Sequence, residues 1–294
     1  MSMKEDFNKG LLLTSLGSFW WGFIGVLYFE YVSFIGYVEL VVHRCLWTAV
    51  MLVITTSFFS KWNLFFKIIS NKNVLFGLFI SGFLIFVNWA VWIYAVATDR
   101  IIDASFGYFI MPIISVLLGY IFFKEHLNKK RIFSIILVFI SILILIIYNL
   151  KSLPWVGLIV AFSWAFYNLI RKKINIDTDI GLLVESLFIF PFALILFYLI
   201  VKNGFNDFSL SNPGLSLFLI LAGPMTVIPL FLYVRGVELI GLGPTGMIFY
   251  ITPTLQFILG YFYYNEEFSL VKFVSFIIIW IAVIIYLKDL YEKN

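Results

Sequence analysis

The chain has 294 residues, of which 63% are hydrophobic and 12% charged, against about 45–50% and about 25% in a soluble domain. So few charges do not cover a water-soluble body of this length, which makes lipid the bulk solvent. One cysteine (Cys45), two distant histidines (His43 and His126) and a net charge of +4 with no long basic tract argue against a disulfide, a His-rich metal cluster and nucleic-acid binding.

In chain order, Met1 to Lys9 is short and of mixed charge, and an uncharged run from Gly10 to Phe29 follows. That run is too long for a signal-peptide core and has no small-x-small cleavage pattern after it, so it reads as a retained first helix. About 20 apolar residues cross a bilayer. Comparable runs occur at 36–59, 74–97, 103–123, 131–149, 154–171, 180–201, 214–236, 242–264 and 270–287. The dividers, among them Lys61–Lys72, Lys124–Arg131, Arg171–Asp179 and Lys202–Pro213, are short and polar. The expectation is an all-α integral membrane protein of ten transmembrane helices with no soluble domain.

Lys and Arg set the orientation. With a cytoplasmic N-terminus, 14 of the 20 basic residues fall in cytoplasmic segments. Four (Arg100, Lys151, Lys202 and Lys272) fall outside, and Arg44 and Arg235 fall within or at the edge of helices. An odd helix count would spoil this alternation. Both termini are therefore expected in the cytoplasm.

The sequence also repeats itself. Ala104-Ser-Phe-Gly-Tyr-Phe-Ile-Met-Pro112, followed by Leu118-Gly119-Tyr120 and Glu125, returns 141 residues later. There it reads Thr245-Gly-Met-Ile-Phe-Tyr-Ile-Thr-Pro253, then Leu259-Gly260-Tyr261 and Glu266. Gly82 falls on Gly223 and Ser134 on Ser275 at the same offset, and Trp20-Trp21-Gly22-Phe23 is echoed by Ser163-Trp164-Ala165-Phe166. Chance similarity between apolar helices does not account for coincident Pro, Gly, Tyr and Glu. The repeats are expected at 1–150 and 151–294, five helices each. An odd number puts the second copy into the membrane upside down, the architecture of alternating-access carriers with a midplane site between the halves.

These motifs resemble the RarD-like branch of the drug/metabolite transporter superfamily, whose repeat is the EamA domain. The resemblance runs through nearly all of the chain: Trp20-Trp21-Gly22, Glu39 to Trp47, Asn88-Trp89, Ala104 to Pro112, Leu118-Gly119 and Leu153-Pro154-Trp155. It continues with Arg171-Lys172-Lys173, Glu185, Phe190-Pro191, Ala222-Gly223-Pro224, Pro229-Leu230 and Pro253 to Phe257. It implies a ten-helix inner-membrane permease with a central cavity between two five-helix halves. Relatives export amino acids, import choline-like amines or move nucleotide sugars. Met111 stands where the family commonly has Asn before Pro112.

Ionisable groups inside a membrane usually face a cavity or a partner. Glu39 and His43, four apart, share a helix face, and Arg44 is rotated roughly 100° from His43. His43 and Arg44 are candidates to bind an anionic group, and Glu39, His43 and Glu185 to carry a coupling proton. The bland readings are a structural pair near the external end and an Arg44–Glu185 salt bridge. Asn88, Trp89, Trp92 and Tyr108 are candidates for an aromatic wall bearing one amide, and packing or interfacial aromatics are the alternative. Tyr250 and Gln256 flank Pro253 and are further candidates. Pro112, Pro229 and Pro253 each remove a backbone hydrogen bond inside a helix, which makes them candidate kinks or hinges. Arg235 and Glu238 read as an interfacial pair.

Secondary transport of a small polar metabolite, an amino acid or similar zwitterion, is the expectation. A permease for a quaternary amine or drug and an intramembrane lipid-modifying enzyme are the alternatives. No Gly-x-x-x-x-Gly-Lys sequence is present, so ATP is not expected to drive the chain directly. No cofactor or metal is expected. The expected partners are the substrate and membrane lipids, with a monomer or homodimer as the assembly.

Overall fold

The structure, a computed structural model, describes residues 3–97, 101–149, 155–263 and 269–293. Arg100, Lys151, Leu153, Pro154, Glu266 and Glu267 lie outside the described residues. The described elements are helical. A first rod comprises α1 (Met3–Phe19), a π-helical segment (Trp20–Ile24) and α2 (Gly25–Tyr31). Then come α3 (Tyr37–Phe58), α4 (Trp62–Ile69), α5 (Lys72–Ala97), α6 (Ile101–Phe123) and α7 (Lys129–Asn149). The later elements are α8 (Trp155–Ile174), α9 (Thr178–Lys202), α10 (Pro213–Ile240), α11 (Leu242–Ile248), α12 (Ile251–Phe262) and α13 (Leu270–Lys293).

Among the described residues, 7 helices are long and apolar enough to cross a membrane. Three of the ten runs read from the sequence fall outside that group. The described apolar stretch of α6 is the shorter Gly107–Phe123, and α8 closes on Arg171, Lys172 and Lys173. The run from 242 to 264 is not one helix but α11 and α12, parted at Phe249 and Tyr250. Pro253 has no N–H to give the Phe249 carbonyl, which takes the Thr252 N–H at 2.9 Å instead. Pro112 and Pro229 have no such effect: α6 and α10 run through them unbroken. The polar divider after Lys61 also holds a helix, α4, whose Leu64, Phe65, Ile68 and Ile69 pack with residues of α5 and α9.

The outer surface is apolar. Phe76, Phe139, Ile147, Phe192 and Ile284 are all exposed, while Thr14, Ser81, Ser134, Ser141 and Ser275 are buried between helices. Hydrocarbon satisfies no hydrogen bond, so small polar side chains turn inward, and the Thr14, Ser81 and Ser134 hydroxyls donate to carbonyls of their own helices. The Ser141 hydroxyl donates to the Ser275 carbonyl at 2.8 Å.

The helices pack in matched pairs. α1 lies on α10 as α5 lies on α8, α3 on α10 as α9 on α5, and α6 on α8 as α12 on the π segment, while α7 packs on α13. Two glycines at matched repeat positions permit close approaches of α10 to α3 and of α5 to α9. A Cβ at Gly223 would stand 2.5 Å from the Trp47 carbonyl oxygen, and one at Gly82 would stand 3.2 Å from that of Glu185.

One end of the bundle, where α3 and α8 finish and α5 and α9 begin, is here called basal. It carries Lys61 with Asp179 (2.7 Å) and Asp177 (3.3 Å), Lys172 with Glu125 (3.3 Å), Arg131 with Asp289 (2.9 Å) and Arg235 with Glu238 (2.8 Å). Partial burial opposes the charge on Lys61, but the Asp179 and Asp177 carboxylates outweigh it and hold its pKa above the ordinary lysine value. The Glu125 carboxylate also accepts the Leu242 and Gly243 N–H groups, both at 2.8 Å, and so caps the start of α11. The Arg235–Glu238 pair forms as the sequence reading expected.

Gly223→Ala should cost about 1–3 kcal/mol through overpacking of α10 on α3, and Gly82→Ala less, because its neighbour stands farther off. Thermal unfolding in detergent measures both. Equal losses would contradict the packing described.

Candidate functional site

In the apical half of the bundle the helices part around a cavity of about 80 Å³. Its floor comes from the interrupted first rod. The Gly25 N–H reaches back to the Trp20 carbonyl, five residues away, and this wider π turn brings Trp21, Gly25, Val26 and Phe29 onto the cavity. The Thr252 hydroxyl donates to the Ser18 carbonyl at 2.9 Å and ties the rod to α12.

Arg44 enters from α3. It is buried, and its Nε donates to the Thr226 hydroxyl at 3.0 Å. Its guanidinium carbon lies 4.5 Å from the centre of the Trp89 ring and 5.2 Å from that of Phe29. Among the described residues no carboxylate pairs with it, and its two terminal nitrogens have no hydrogen-bond partner. The aromatic faces offset part of the cost of burying this charge, and the free N–H groups point to an anionic guest.

The rest of the wall is aromatic with a few polar atoms. Trp21 and Trp164, the two residues echoed between the repeats, meet edge to face with ring centres 5.1 Å apart. Trp92, Tyr108, Phe249 and Met111 complete the apolar lining. Both amide hydrogens of Asn88 are engaged, by the Val160 carbonyl (2.9 Å) and the Ser163 hydroxyl (3.1 Å). Its Oδ1 is left as an acceptor. Neither the Tyr108 hydroxyl nor the Gln256 amide has a partner among the described residues.

The structure therefore brings Arg44, Asn88, Trp89, Trp92, Tyr108 and Gln256 to one cavity. His43, Glu185 and Tyr250 are not on it. With Arg44 turned inward, the rotation of roughly 100° per residue aims His43 elsewhere. His43 Nε2 lies 3.4 Å from Glu39, its Nδ1 accepts the Trp47 N–H at 3.1 Å, and its ring packs on Phe208. Glu39 does not reach for solvent. Its buried carboxylate accepts the backbone N–H groups of Asp207 and Phe208 at 2.9–3.0 Å. Together they hold the loop between α9 and α10. The Tyr250 hydroxyl donates to the Phe109 carbonyl at 2.7 Å, the residue at its own position in the first repeat, and Phe249 lines the cavity instead.

The alternative reading, an Arg44–Glu185 salt bridge, does not form. Glu185 Oε1 lies 3.6 Å from Arg171 Nη1 and accepts the Ser81 hydroxyl at 2.5 Å. The sequence reading counted Arg171 as a surface charge, yet it is fully buried. It also missed the π segment, because an apolar run looks the same with or without the extra residue in the turn. Trp21 and Trp164 did carry a signal, their shared place in the two repeats.

The family model described as "EamA-like transporter family" matches residues 8–147 and 152–288. The chain is 33% identical over 289 residues to "Protein RarD" of Escherichia coli (strain K12), covering 98% of this chain and 97% of that one. It is 32% identical to an "Uncharacterized transporter" of Vibrio cholerae serotype O1, covering 97% and 94%. A solved crystal structure shares the fold, with a TM-score of 0.68 and 12% identity over 95% of this chain and 97% of that one. With the family matched across both stretches, relatives matched end to end and an apolar multi-helix body, the chain belongs to the EamA-like transporter family, as a RarD-like, multi-pass membrane member of the drug/metabolite transporters.

Proposed function

We propose that this protein is a secondary transporter of the bacterial inner membrane. It carries a small organic metabolite bearing a carboxylate, an amino acid or similar zwitterion, by alternating access. The observation that carries the substrate class is Arg44, a buried cation on the cavity wall with no acidic partner among the described residues. A carboxylate would accept from its terminal nitrogens. An ammonium group would find Asn88 Oδ1, the Gln256 amide and the ring faces. A lone cationic amine fits less well, because Arg44 repels it and already lies over the Trp89 ring.

The transport cycle in this reading uses ten spans in two inverted five-helix halves, 1–150 and 151–294. Support comes from the two successive family matches and from helix contacts that recur with early and late helices exchanged. The charge bias puts both termini in the cytoplasm, so the ion-paired basal end is the cytoplasmic one. The cavity then lies toward the outside, in a state closed to the cytoplasm. Exchange with a state closed on the other side moves the substrate.

Three outcomes test this in proteoliposomes with a panel of radiolabelled amino acids and their decarboxylated amines. Arg44→Gln should weaken half-saturation about 10- to 100-fold for carboxylate solutes, the worth of hydrogen bonds to a charged group. His43→Phe should leave half-saturation unchanged, because His43 faces the α9–α10 loop. Trp89→Leu, which removes the ring beneath Arg44, should weaken it about 3- to 30-fold. Uptake of the amines alone, indifferent to Arg44, would refute the substrate class.

A further inference from the structure

Substrate recognition leaves Glu185 without a task, although its carboxylate is held inside the bundle by side chains of two neighbouring helices. It is buried on α9, and α5 and α8 supply its partners. Ser81 of α5 donates to Oε1 at 2.5 Å, the Tyr167 hydroxyl of α8 to Oε2 at 3.3 Å, and Arg171 of α8 stands 3.6 Å away. Arg171 is in turn 3.9 Å from Glu238 of α10, which pairs with Arg235, a residue reaching the surface. The result is a ladder of alternating charge, Glu185, Arg171, Glu238 and Arg235, running from the interior to the basal rim.

Two features set this ladder apart from a locked salt bridge. The first is its looseness. Arg171 donates one hydrogen bond, from Nη2 to the Thr178 carbonyl at 3.1 Å, while its Nε and Nη1 are buried without a hydrogen-bond partner. It stands between two carboxylates and is bound tightly to neither. If Glu185 is neutralised, Glu238 still answers the guanidinium, so the change strands no buried charge.

The second is access. On the other side of Glu185 is a small cavity of about 10 Å³, lined by Thr48, Leu182, Glu185, Ser186 and Trp89. Its volume is about that of one water, and the Thr48 hydroxyl there is buried with no partner. Trp89 also lines the large cavity. Trp89 is thus common to the walls of the two cavities.

We infer that Glu185 is the binding site for a coupling proton, taken up from the substrate cavity past Trp89 and Thr48, and that its charge state governs the basal closure. In the charged form Glu185 holds Arg171 and keeps α8, α9 and α5 together. A proton on the carboxylate converts the ion pair to a neutral contact, leaves Arg171 to Glu238, and lets the basal ends of α8 and α9 part. The proton leaves toward the cytoplasm once that end is open, and the pair re-forms. The step needs no other reactant. Tyr167 and Ser81 remain as donors to the charged form, α3 contributes Thr48 and Leu52 to this cavity, and Glu238 and Arg235 are the remaining ionisable members of the cluster.

The inference rests on the alternating-access reading, but its test needs no substrate. Leu182, buried one turn basal of Glu185, is replaced by Cys in a Cys45→Ala background. The protein is held in nanodiscs without any added solute, and the rate of modification by a hydrophilic maleimide is normalised to that of a small thiol. Modification should speed up about tenfold between about pH 8 and about pH 5.5, with a slope of no more than about tenfold per pH unit, the limit for linkage to a single proton. Glu185→Gln should react rapidly at both pH values, and Tyr167→Phe should move the midpoint of the pH response. A wild-type rate indifferent to pH, or a pH step that survives in Glu185→Gln, would overturn the assignment. If Glu185→Gln does not fold, an unmoved midpoint in Tyr167→Phe would do the same. Failure here leaves the substrate reading standing, since no transport is measured.

Discussion

A guanidinium deep in a lipid-embedded bundle must be answered by something, because neither hydrocarbon nor an empty void compensates its charge. For Arg44 the answer is partial. Thr226 takes Nε, Trp89 and Phe29 offer ring faces, and two nitrogens are left over. Much of the apical half follows from that one placement. The π turn of the first rod, the edge-to-face contact of Trp21 with Trp164 and the break ahead of Pro253 all bring groups to the space in front of it. Arg171 is the contrasting case, buried as deeply but set between two carboxylates. One cation is answered by a hydroxyl and ring faces, the other by carboxylates.

The two ends of the molecule differ accordingly. At the basal end the ion pairs of Lys61, Lys172 and Arg131 link early and late parts of the chain, and those of Arg171 join α8 to α9 and α10. At the apical end the described ion pair, Glu39 with His43, serves the backbone of one loop. Many individually weak contacts at one end, made and broken together, suit an equilibrium between two closures better than a single strong lock would. The close approaches at Gly82 and Gly223 supply rigid contacts about which such a bundle can rock.

The sequence made the helices legible because lipid imposes one simple rule: about 20 apolar residues between polar breaks. Helix ends accordingly fall within a few residues of most runs, the outermost ends and the interrupted run 242–264 excepted. Facing was harder to read. Spacing places Arg44 and His43 roughly 100° apart, but which of them meets the cavity depends on how α3 packs against α10 and α9. For the same reason spacing alone does not show that Phe249, rather than the candidate Tyr250, lines the cavity. Arg171, in a run with Lys172 and Lys173, was indistinguishable from a loop charge until α9 folded over it. The helix of Trp62–Ile69 lay hidden between lysines because it is amphipathic and short. Pro253 was recognised as a kink, yet its twin Pro112 leaves α6 intact, so matched residues do not enforce matched geometry.

In the proposed function Arg44 binds the carboxylate of the substrate. The most direct measurement is thermal stabilisation of the detergent-solubilised protein by matched ligand triplets: an amino acid, its decarboxylated amine and its deaminated acid. Stabilisation by the amino acid and, more weakly, by the acid, with none from the amine, is the predicted result. Stabilisation by the amines, or by no carboxylate in a broad metabolite set, would contradict it.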